Sequence, residues 1–324
     1  MKAQSLAQSA DMSGVARGAW LAMLAFGAFA THDAIVKTLG ASYSVVQIIF
    51  FGVLFAFVPV TGMLAADQAL ANLRPRHPWL VAARTLAMVV SMAAAFYAFS
   101  VLPLAETYTL LFVTPLLITA LSVPILGETV RLRRWIAVLV GLLGVLIVLR
   151  PGSVSFNAGH GAALLAAIGA AFSAIIVRRI GPEERSAVLV LYPMLANIVV
   201  MALVLPWVYV PMPLGDLGLA ALIGVIAPVA QLLWIAAYRA APAALIAPFQ
   251  YSQILWAVPF GYFLFGDMPD RWVAAGASVI IASGLFILWR ETHDQVSETQ
   301  PTLRPRNARP DAGPSPRPTI KEHD

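Results

Sequence analysis

The chain has 324 residues, of which 60% are hydrophobic and only 11% charged, and its mean hydropathy is +0.81. Soluble domains carry about 25% charged residues, so this composition excludes a soluble enzyme, a secreted domain and a disordered protein. It predicts an all-α integral membrane protein, in which the net charge of +5 reports on orientation rather than on a nucleic-acid partner.

Ten segments are apolar enough to cross a bilayer, which takes about 20 residues per helix. The fifth segment is short, and the fourth begins within a few residues of the third. Ala28-Phe29-Ala30 resembles a signal-peptide cleavage site, but apolar sequence continues beyond it and nine further segments follow, which favours a first membrane span. The predicted transmembrane helices are 18–38, 45–64, 79–100, 104–126, 135–149, 161–178, 187–206, 217–238, 243–265 and 272–289.

Lys and Arg residues are distributed unevenly between the two sides of the predicted membrane domain. With a cytoplasmic N-terminus, 17 of the 21 lie inside, Arg84 lies within the third span, and only Lys37, Arg150 and Arg271 lie outside. Positive charge accumulates on cytoplasmic loops, so we predict that both termini face the cytoplasm. Residues 1–17 then form a cytoplasmic N-terminal segment.

The last segment of the chain, residues 291–324, has a different composition from the rest. It contains six prolines, five Lys or Arg and six Asp or Glu. Such a segment cannot bury enough apolar surface to offset the entropy of ordering it, which predicts a disordered cytoplasmic tail. The tail is either a solvated end without a role or a partner-binding segment.

The two halves of the chain repeat each other. Leu102-Pro103-Leu104-Ala105 recurs 139 residues later as Ala241-Pro242-Ala243-Ala244, and Gly127-Glu128 recurs at the same offset as Gly266-Asp267. Residues 34–40 resemble residues 175–181 at an offset of 141. We therefore predict two five-helix repeats, 18–150 and 157–290. Because five is odd, the second repeat enters the membrane from the opposite side, as in transporters whose substrate site lies between inverted repeats.

These features together resemble the drug/metabolite transporter superfamily, EamA family. The resemblance rests on the ten spans, the repeat, the Leu-Pro-Leu-Ala turn, Gly127-Glu128, Pro115-Leu116 and the basic run Arg133-Arg134-Trp135. It implies a ten-helix permease of a bacterial inner (plasma) membrane, with a cavity lined by helices one, three, four, six, eight and nine. It also implies a small organic substrate such as an amino acid, a vitamin like riboflavin or a nucleoside-like metabolite.

Ionisable residues inside a membrane span are costly and therefore mark candidate functional sites. The first span carries His32, Asp33 and Lys37, and the spacing of Asp33 and Lys37 allows them to pair on one helix face. Either this group is a structural cluster near the outer mouth, or His32 or Asp33 binds substrate or exchanges a coupling proton. Glu106 is interpreted as a charge that stabilises a helix N-terminus, and Arg84 as a side chain that extends to the interface.

Aromatic and amide side chains on the cavity-lining helices supply further candidates, because such surfaces suit a planar or amphiphilic solute. Each of them has an ordinary helix-packing role as its alternative. Prolines in the fourth and ninth spans are candidate hinges. The candidate substrate-binding residues are His32, Asp33, Tyr97, Tyr108, Gln231, Trp234, Gln250 and Tyr251, and the candidate hinges are Pro115 and Pro248.

The function that these patterns favour is secondary active transport by alternating access. The sequence has no phosphate-binding loop, and its five histidines lack a metal-ligand spacing, so we predict no enzyme activity, no cofactor and no metal. Its predicted partners are the lipid bilayer and a small-molecule substrate, with the proton as candidate coupling ion. The family suggests uptake of a riboflavin-type vitamin. Export of amino acids or related metabolites is the alternative, and a channel-like facilitator is a more remote one.

Overall fold

The computed structural model describes residues 2–66, 73–127, 132–150, 157–240 and 246–293, and throughout these residues the ordered elements are helices. They are α1 (Lys2–Gly40), α2 (Val45–Ala66), α3 (Pro78–Val101), α4 (Leu104–Leu111), α5 (Thr114–Leu126), α6 (Leu132–Leu149), α7 (Ala158–Ile180), α8 (Ser186–Val208), α9 (Leu214–Ala240), a 3-10 helix (Ala247–Ser252), α10 (Gln253–Phe265) and α11 (Arg271–His293).

Most of the predicted spans appear as helices of membrane-crossing length. Seven segments of the described chain are long and apolar enough to cross a bilayer, and α4 and α5 together form one of them, Leu104–Leu126. Two shorter apolar helices, Trp135–Leu149 and Arg271–Phe286, match the fifth and tenth predictions. The chain is therefore an all-helical, multi-pass membrane protein.

The predicted fourth and ninth spans are interrupted rather than continuous. The fourth breaks between Leu111 and Thr114, with Pro115 in the first turn of α5. The ninth begins as a 3-10 helix with Pro248 in its first turn and changes to α-helix at Gln253, while residues 241–245 lie outside the described residues. Since proline lacks an N–H group, it is tolerated where a helix begins, and both breaks follow from this property.

The two interrupted helices also end alike. Gly127 follows α5 and Gly266 follows α10, and both glycines are left-handed, with φ of 71° and 70°. A side chain is sterically unfavourable in this conformation, which explains why glycine occupies the equivalent position in both halves.

Helices from the two halves pack against each other in matching pairs. The most extensive contacts join α1 to α9, α3 to α7 and α6 to α11. By the repeat offset, α1 corresponds to α7, α3 to α9 and α6 to α11. The first two pairs are therefore equivalent to each other, and the third joins a helix to its own counterpart.

The α6–α11 pair runs antiparallel and depends on glycine. Ser283 donates a hydrogen bond to the Ala137 carbonyl at one end of the contact, while Gly276 lies against Val148 at the other. Between them, Gly144 and Gly276 approach so closely that an added Cβ atom on Gly276 would lie 2.7 Å from the Gly144 carbonyl oxygen. Such an approach is possible because small residues let two helix backbones come close together.

The bounds of several segments differ from the prediction. The fifth span begins at Leu132 rather than at residue 135, and α1 extends back to Lys2 through the predicted N-terminal segment 1–17. The tail predicted from residue 291 is helical as far as His293, because α11 continues, and residues 294–324 lie outside the described residues.

Replacing Gly276 with alanine is expected to destabilise the protein. The added methyl group meets the α6 backbone, which cannot move away as a flexible side chain can, and overpacking of this kind costs about 1–3 kcal/mol. Gly218→Ala in α9 is the matched control, because nothing lies within 4 Å of its added Cβ and alanine favours a helix. Thermal unfolding in detergent should show a lower Tm for Gly276→Ala only; equal Tm values would contradict the proposed contact.

Candidate functional site

Three polar side chains from two helices meet inside the bundle. His32 and Asp33 lie on α1, and the Asp33 carboxylate is 2.8 Å from His32 Nδ1 through one oxygen. The other oxygen accepts a short hydrogen bond from the Tyr108 hydroxyl group of α4. Asp33 lies seven residues before the end of α1, or about 10 Å along the helix axis, so the cluster is within the apolar span.

Aromatic rings surround this cluster. The Tyr108 ring lies between Phe99 and Phe112, at centroid distances of 5.1 and 6.3 Å, and His32 packs edge-on against Phe96 at 5.8 Å. Each of these rings is at least nine-tenths buried; they belong to Phe96, Phe99, Tyr108 and Phe112. The chemistry of the site is therefore one carboxylate, one imidazole and one phenol group inside an apolar aromatic shell.

Tyr251 joins the shell from the other half of the chain. Its ring lies 5.0 Å from that of Phe112, and the Gln250 side chain lies beside its hydroxyl group. The hydroxyl group occupies the space that a side chain at Gly284 of α11 would need, since an added Cβ would lie 1.8 Å from it. Four predicted residues, His32, Asp33, Tyr108 and Tyr251, are thus connected through direct or ring contacts.

The remaining predicted residues lie elsewhere. Trp234 packs against Phe26 at 4.5 Å and Tyr238 at 4.7 Å, in a separate buried cluster where α1 meets α9. Gln231 lies one turn before Trp234 on α9. Tyr97 is 38% exposed and does not join the aromatic shell that Phe96 and Phe99 enter. The structure therefore supports a packing role for Trp234 more directly than a binding role.

Lys37 does not pair with Asp33, contrary to the predicted spacing argument. Its ammonium group donates to Asp267 and to the Leu102 carbonyl, both at 2.7 Å, and it lies over the Phe265 ring. Asp33 instead accepts a hydrogen bond from Tyr108, because α1 has different neighbours at residue 33 and at residue 37. Lys37 thereby joins α1 to the loops before α4 and α11.

We call this end of the bundle the Lys37 end. Two further ion pairs close it: Arg150 with Asp270 at 2.6 Å, and Glu106 with His160 at 2.8 Å. Glu106 is therefore a partner for α7 rather than only a charge at a helix N-terminus. The Trp272 backbone N–H and, next, the Arg150 guanidinium hold the pKa of Asp270 below its usual value.

The opposite end of the bundle, which we call the Glu184 end, is held together by hydrogen bonds to Glu184. Glu184 accepts hydrogen bonds from the backbone N–H groups of Arg76 and His77, at 2.8 and 3.1 Å. Arg84 does not extend to the interface as predicted: it is buried, and it donates to the Leu189 carbonyl of α8. At the Lys37 end, Tyr43 donates to Asp216, and Tyr43 is the counterpart of Glu184 at an offset of 141.

Sequence reasoning missed the phenylalanines of the shell and two residues of α10 and the 3-10 helix. Trp256 lies against Gly27 of α1, and both the Trp256 indole N–H and the Ser252 hydroxyl group are buried without a hydrogen-bond partner. The three- and four-residue spacing of Phe96, Phe99, Tyr108 and Phe112 on their helices was the available signal. It resembles ordinary core packing, so it did not single them out.

Tyr108→Phe is expected to destabilise the cluster, because it removes one hydroxyl group and leaves an Asp33 oxygen without a donor. Leaving a buried charged acceptor unpaired costs about 1–3 kcal/mol or more in the free energy of unfolding. Tyr97→Phe is the matched control, since its ring is exposed and a surface change costs roughly 0.5 kcal/mol or less. The free energy of unfolding in detergent tests this, and equal losses for both variants would contradict the hydrogen bond.

The sequence of the chain matches a known protein family. The model of the family described as "EamA-like transporter family" matches it twice, over residues 16–150 and 157–289. The two matches together cover most of the chain and leave out little more than the ends.

Several curated relatives are similar over most of their length. An S-adenosylmethionine uptake transporter of Rickettsia bellii is 25% identical over 83% of this chain and 92% of its own. A pseudopaline exporter of Pseudomonas aeruginosa is 27% identical over 82% of this chain and 94% of its own. A riboflavin transporter of Vibrio cholerae is 32% identical over 59% of this chain and 64% of its own.

Proposed function

The chain belongs to the EamA-like transporter family, and we propose that it is a secondary transporter that moves a small organic metabolite by alternating access. The observation that carries this proposal is the antiparallel packing of helices from the two halves of the chain, with the buried Asp33 cluster inside the bundle. Family membership and the relatives' functions make the chain a small-molecule transporter rather than an enzyme. The mechanism and the substrate are the parts that we infer.

Antiparallel contacts between helices of the two halves support an inverted repeat. Ser91 of α3 bonds the Ala166 carbonyl of α7, and further along the same pair Gly159 lies against Val101, so the sequence numbers run in opposite directions. The α6–α11 pair behaves in the same way. Two related halves inserted in opposite directions give a transporter two conformations of similar energy, each closed at one end.

The described conformation is closed at the Lys37 end. There Gly40 of α1 lies against Ser100 of α3, and the three ion pairs add to the closure. The equivalent helices α7 and α9 do not pack extensively against each other within the described residues. Because the distribution of Lys and Arg predicts that the Lys37 end faces outwards, this is the inward-facing state of an inner-membrane protein with cytoplasmic termini.

We propose uptake of an S-adenosylmethionine-like solute as the principal activity. The uptake transporters that share most of their length with this chain support it. Riboflavin-type uptake, suggested by the family resemblance, is the second candidate, and the supporting relative covers less of the chain. The pseudopaline exporter supports export as the remaining alternative.

A disulfide that locks the Lys37 end should stop transport. An added Cβ at Gly40 would lie 2.4 Å from the Ser100 Cβ, so a Gly40→Cys/Ser100→Cys pair is within reach of a disulfide after a small separation. The natural chain has no cysteine, so no background thiol competes. We expect saturable uptake of labelled S-adenosylmethionine into proteoliposomes to be lost on oxidation and restored by a reductant.

The two single-cysteine variants are the controls and should transport under both conditions. Undiminished uptake by the fully cross-linked protein would contradict alternating access. Flux that never saturates with substrate would favour a channel. Running the assay with riboflavin, and with and without a pH gradient, distinguishes the two substrate candidates and tests the proton as coupling ion.

A further inference from the structure

We propose that the Asp33 carboxylate and the aromatic shell around it bind the sulfonium group of an organic cation. This inference rests on the proposed transport function and deepens it by naming the charge of the substrate group and the residues that recognise it.

The charge balance of the site calls for a positive partner. Asp33 has two polar neighbours in the described part of the chain, the His32 imidazole and the Tyr108 hydroxyl group. Both can donate to a carboxylate as neutral groups, which leaves the trio with one negative charge. A charge within a membrane span is costly unless a partner neutralises it.

The lysine that follows Asp33 on the same helix is already engaged. Lys37 lies one helical turn from Asp33, but its ammonium group binds Asp267 and the Leu102 carbonyl, and the Phe265 ring covers it. Breaking these contacts would open the Lys37 end. The closed conformation therefore keeps the lysine away from Asp33 and leaves the carboxylate available to a substrate.

The walls of the site favour an organic cation over a metal ion. Metal ions such as Mg²⁺ and Ca²⁺ take six or more oxygen ligands, whereas the trio supplies three oxygen atoms. No group of three His, Cys, Asp or Glu side chains suited to a metal occurs among the described residues. Aromatic faces instead attract ammonium and sulfonium groups, and Phe99, Tyr108, Phe112 and Tyr251 form a continuous set of rings beside the carboxylate.

A pair of probes that differ in charge tests the inference. S-adenosylmethionine carries a sulfonium centre, and S-adenosylhomocysteine is its thioether analogue, which lacks the sulfonium charge but keeps the same amino-acid ammonium and carboxylate groups. Equilibrium binding of each to the purified full-length protein should favour S-adenosylmethionine by about 10-fold or more, the size expected of a cation held by a carboxylate and aromatic rings away from water. Asp33→Asn should lower the affinity for S-adenosylmethionine by about 10- to 100-fold and that for S-adenosylhomocysteine by much less.

Asp216→Asn is the matched control. It makes the same chemical change in a carboxylate that pairs with Tyr43 at the Lys37 end, outside the proposed site, so the preference for the sulfonium probe should persist. Tm values of both variants identify any loss that comes from misfolding. A folded Asp33→Asn protein that keeps the full preference would overturn the inference.

Other outcomes also overturn it, and they separate it from the proposed function. Equal affinity of the natural protein for both probes, or binding of riboflavin alone, refutes the cation site while saturable uptake still supports a transporter. If Asp33→Asn abolishes only the pH dependence of uptake and leaves the affinity ratio unchanged, the carboxylate is a proton site. Uptake that never saturates with substrate rejects the proposed function, whatever the ratio of the affinities for the two probes.

Discussion

A single carboxylate inside the lipid-spanning part of the bundle imposes the main constraint on this structure. Asp33 needs donors around it, and it obtains them from its neighbour His32 and from Tyr108 of α4. This requirement links α4 to α1 through the Tyr108–Asp33 hydrogen bond, and the break after Leu111 separates the half of the span that holds Tyr108 from the half that continues as α5. The aromatic shell then excludes water from a polar group that an apolar core would otherwise not tolerate.

The repeated halves supply the framework around this constraint. Left-handed glycines follow both interrupted spans at positions 127 and 266, and the junctions at Val113 and Ser252 lie at the same offset of 139. The functional residues are not repeated in the same way. Asp33 has Ala174 as its counterpart at the offset of 141, so a symmetric scaffold holds an asymmetric site. Asymmetry of this kind is compatible with the proposed mechanism, in which one substrate site is presented alternately at the two ends of the bundle.

Much of the fold follows from local sequence signals. Apolar segment length predicted the spans, because lipid leaves the backbone no partner outside its own helix. The glycines at positions 127 and 266 are also visible in the sequence, as part of the Gly127-Glu128 and Gly266-Asp267 repeat. The sequence did not predict which side chains from different helices would contact each other. The Lys37 pair joins residues 230 positions apart, and a helical spacing rule could only suggest the near neighbour Asp33.

The site was predictable only in part, for a related physical reason. His32, Asp33 and Tyr108 stood out because polar groups in lipid are rare, and they do meet. Trp234 has the same aromatic character, but it fills a gap between α1 and α9, since an indole ring serves packing as well as recognition. Phe99 and Phe112 carry no polar signal, so only their position in three dimensions gives them a place beside the carboxylate.

The central claim is that two equivalent halves lie in opposite directions across the membrane. Ala41 and Pro182 are exposed loop residues at the repeat offset of 141, and the cysteine-free chain allows a single Ala41→Cys or Pro182→Cys label at each. In intact cells, a membrane-impermeant maleimide should label the cysteine at position 41 alone, and the one at position 182 only after permeabilisation. Labelling of both positions from the same side would contradict the account.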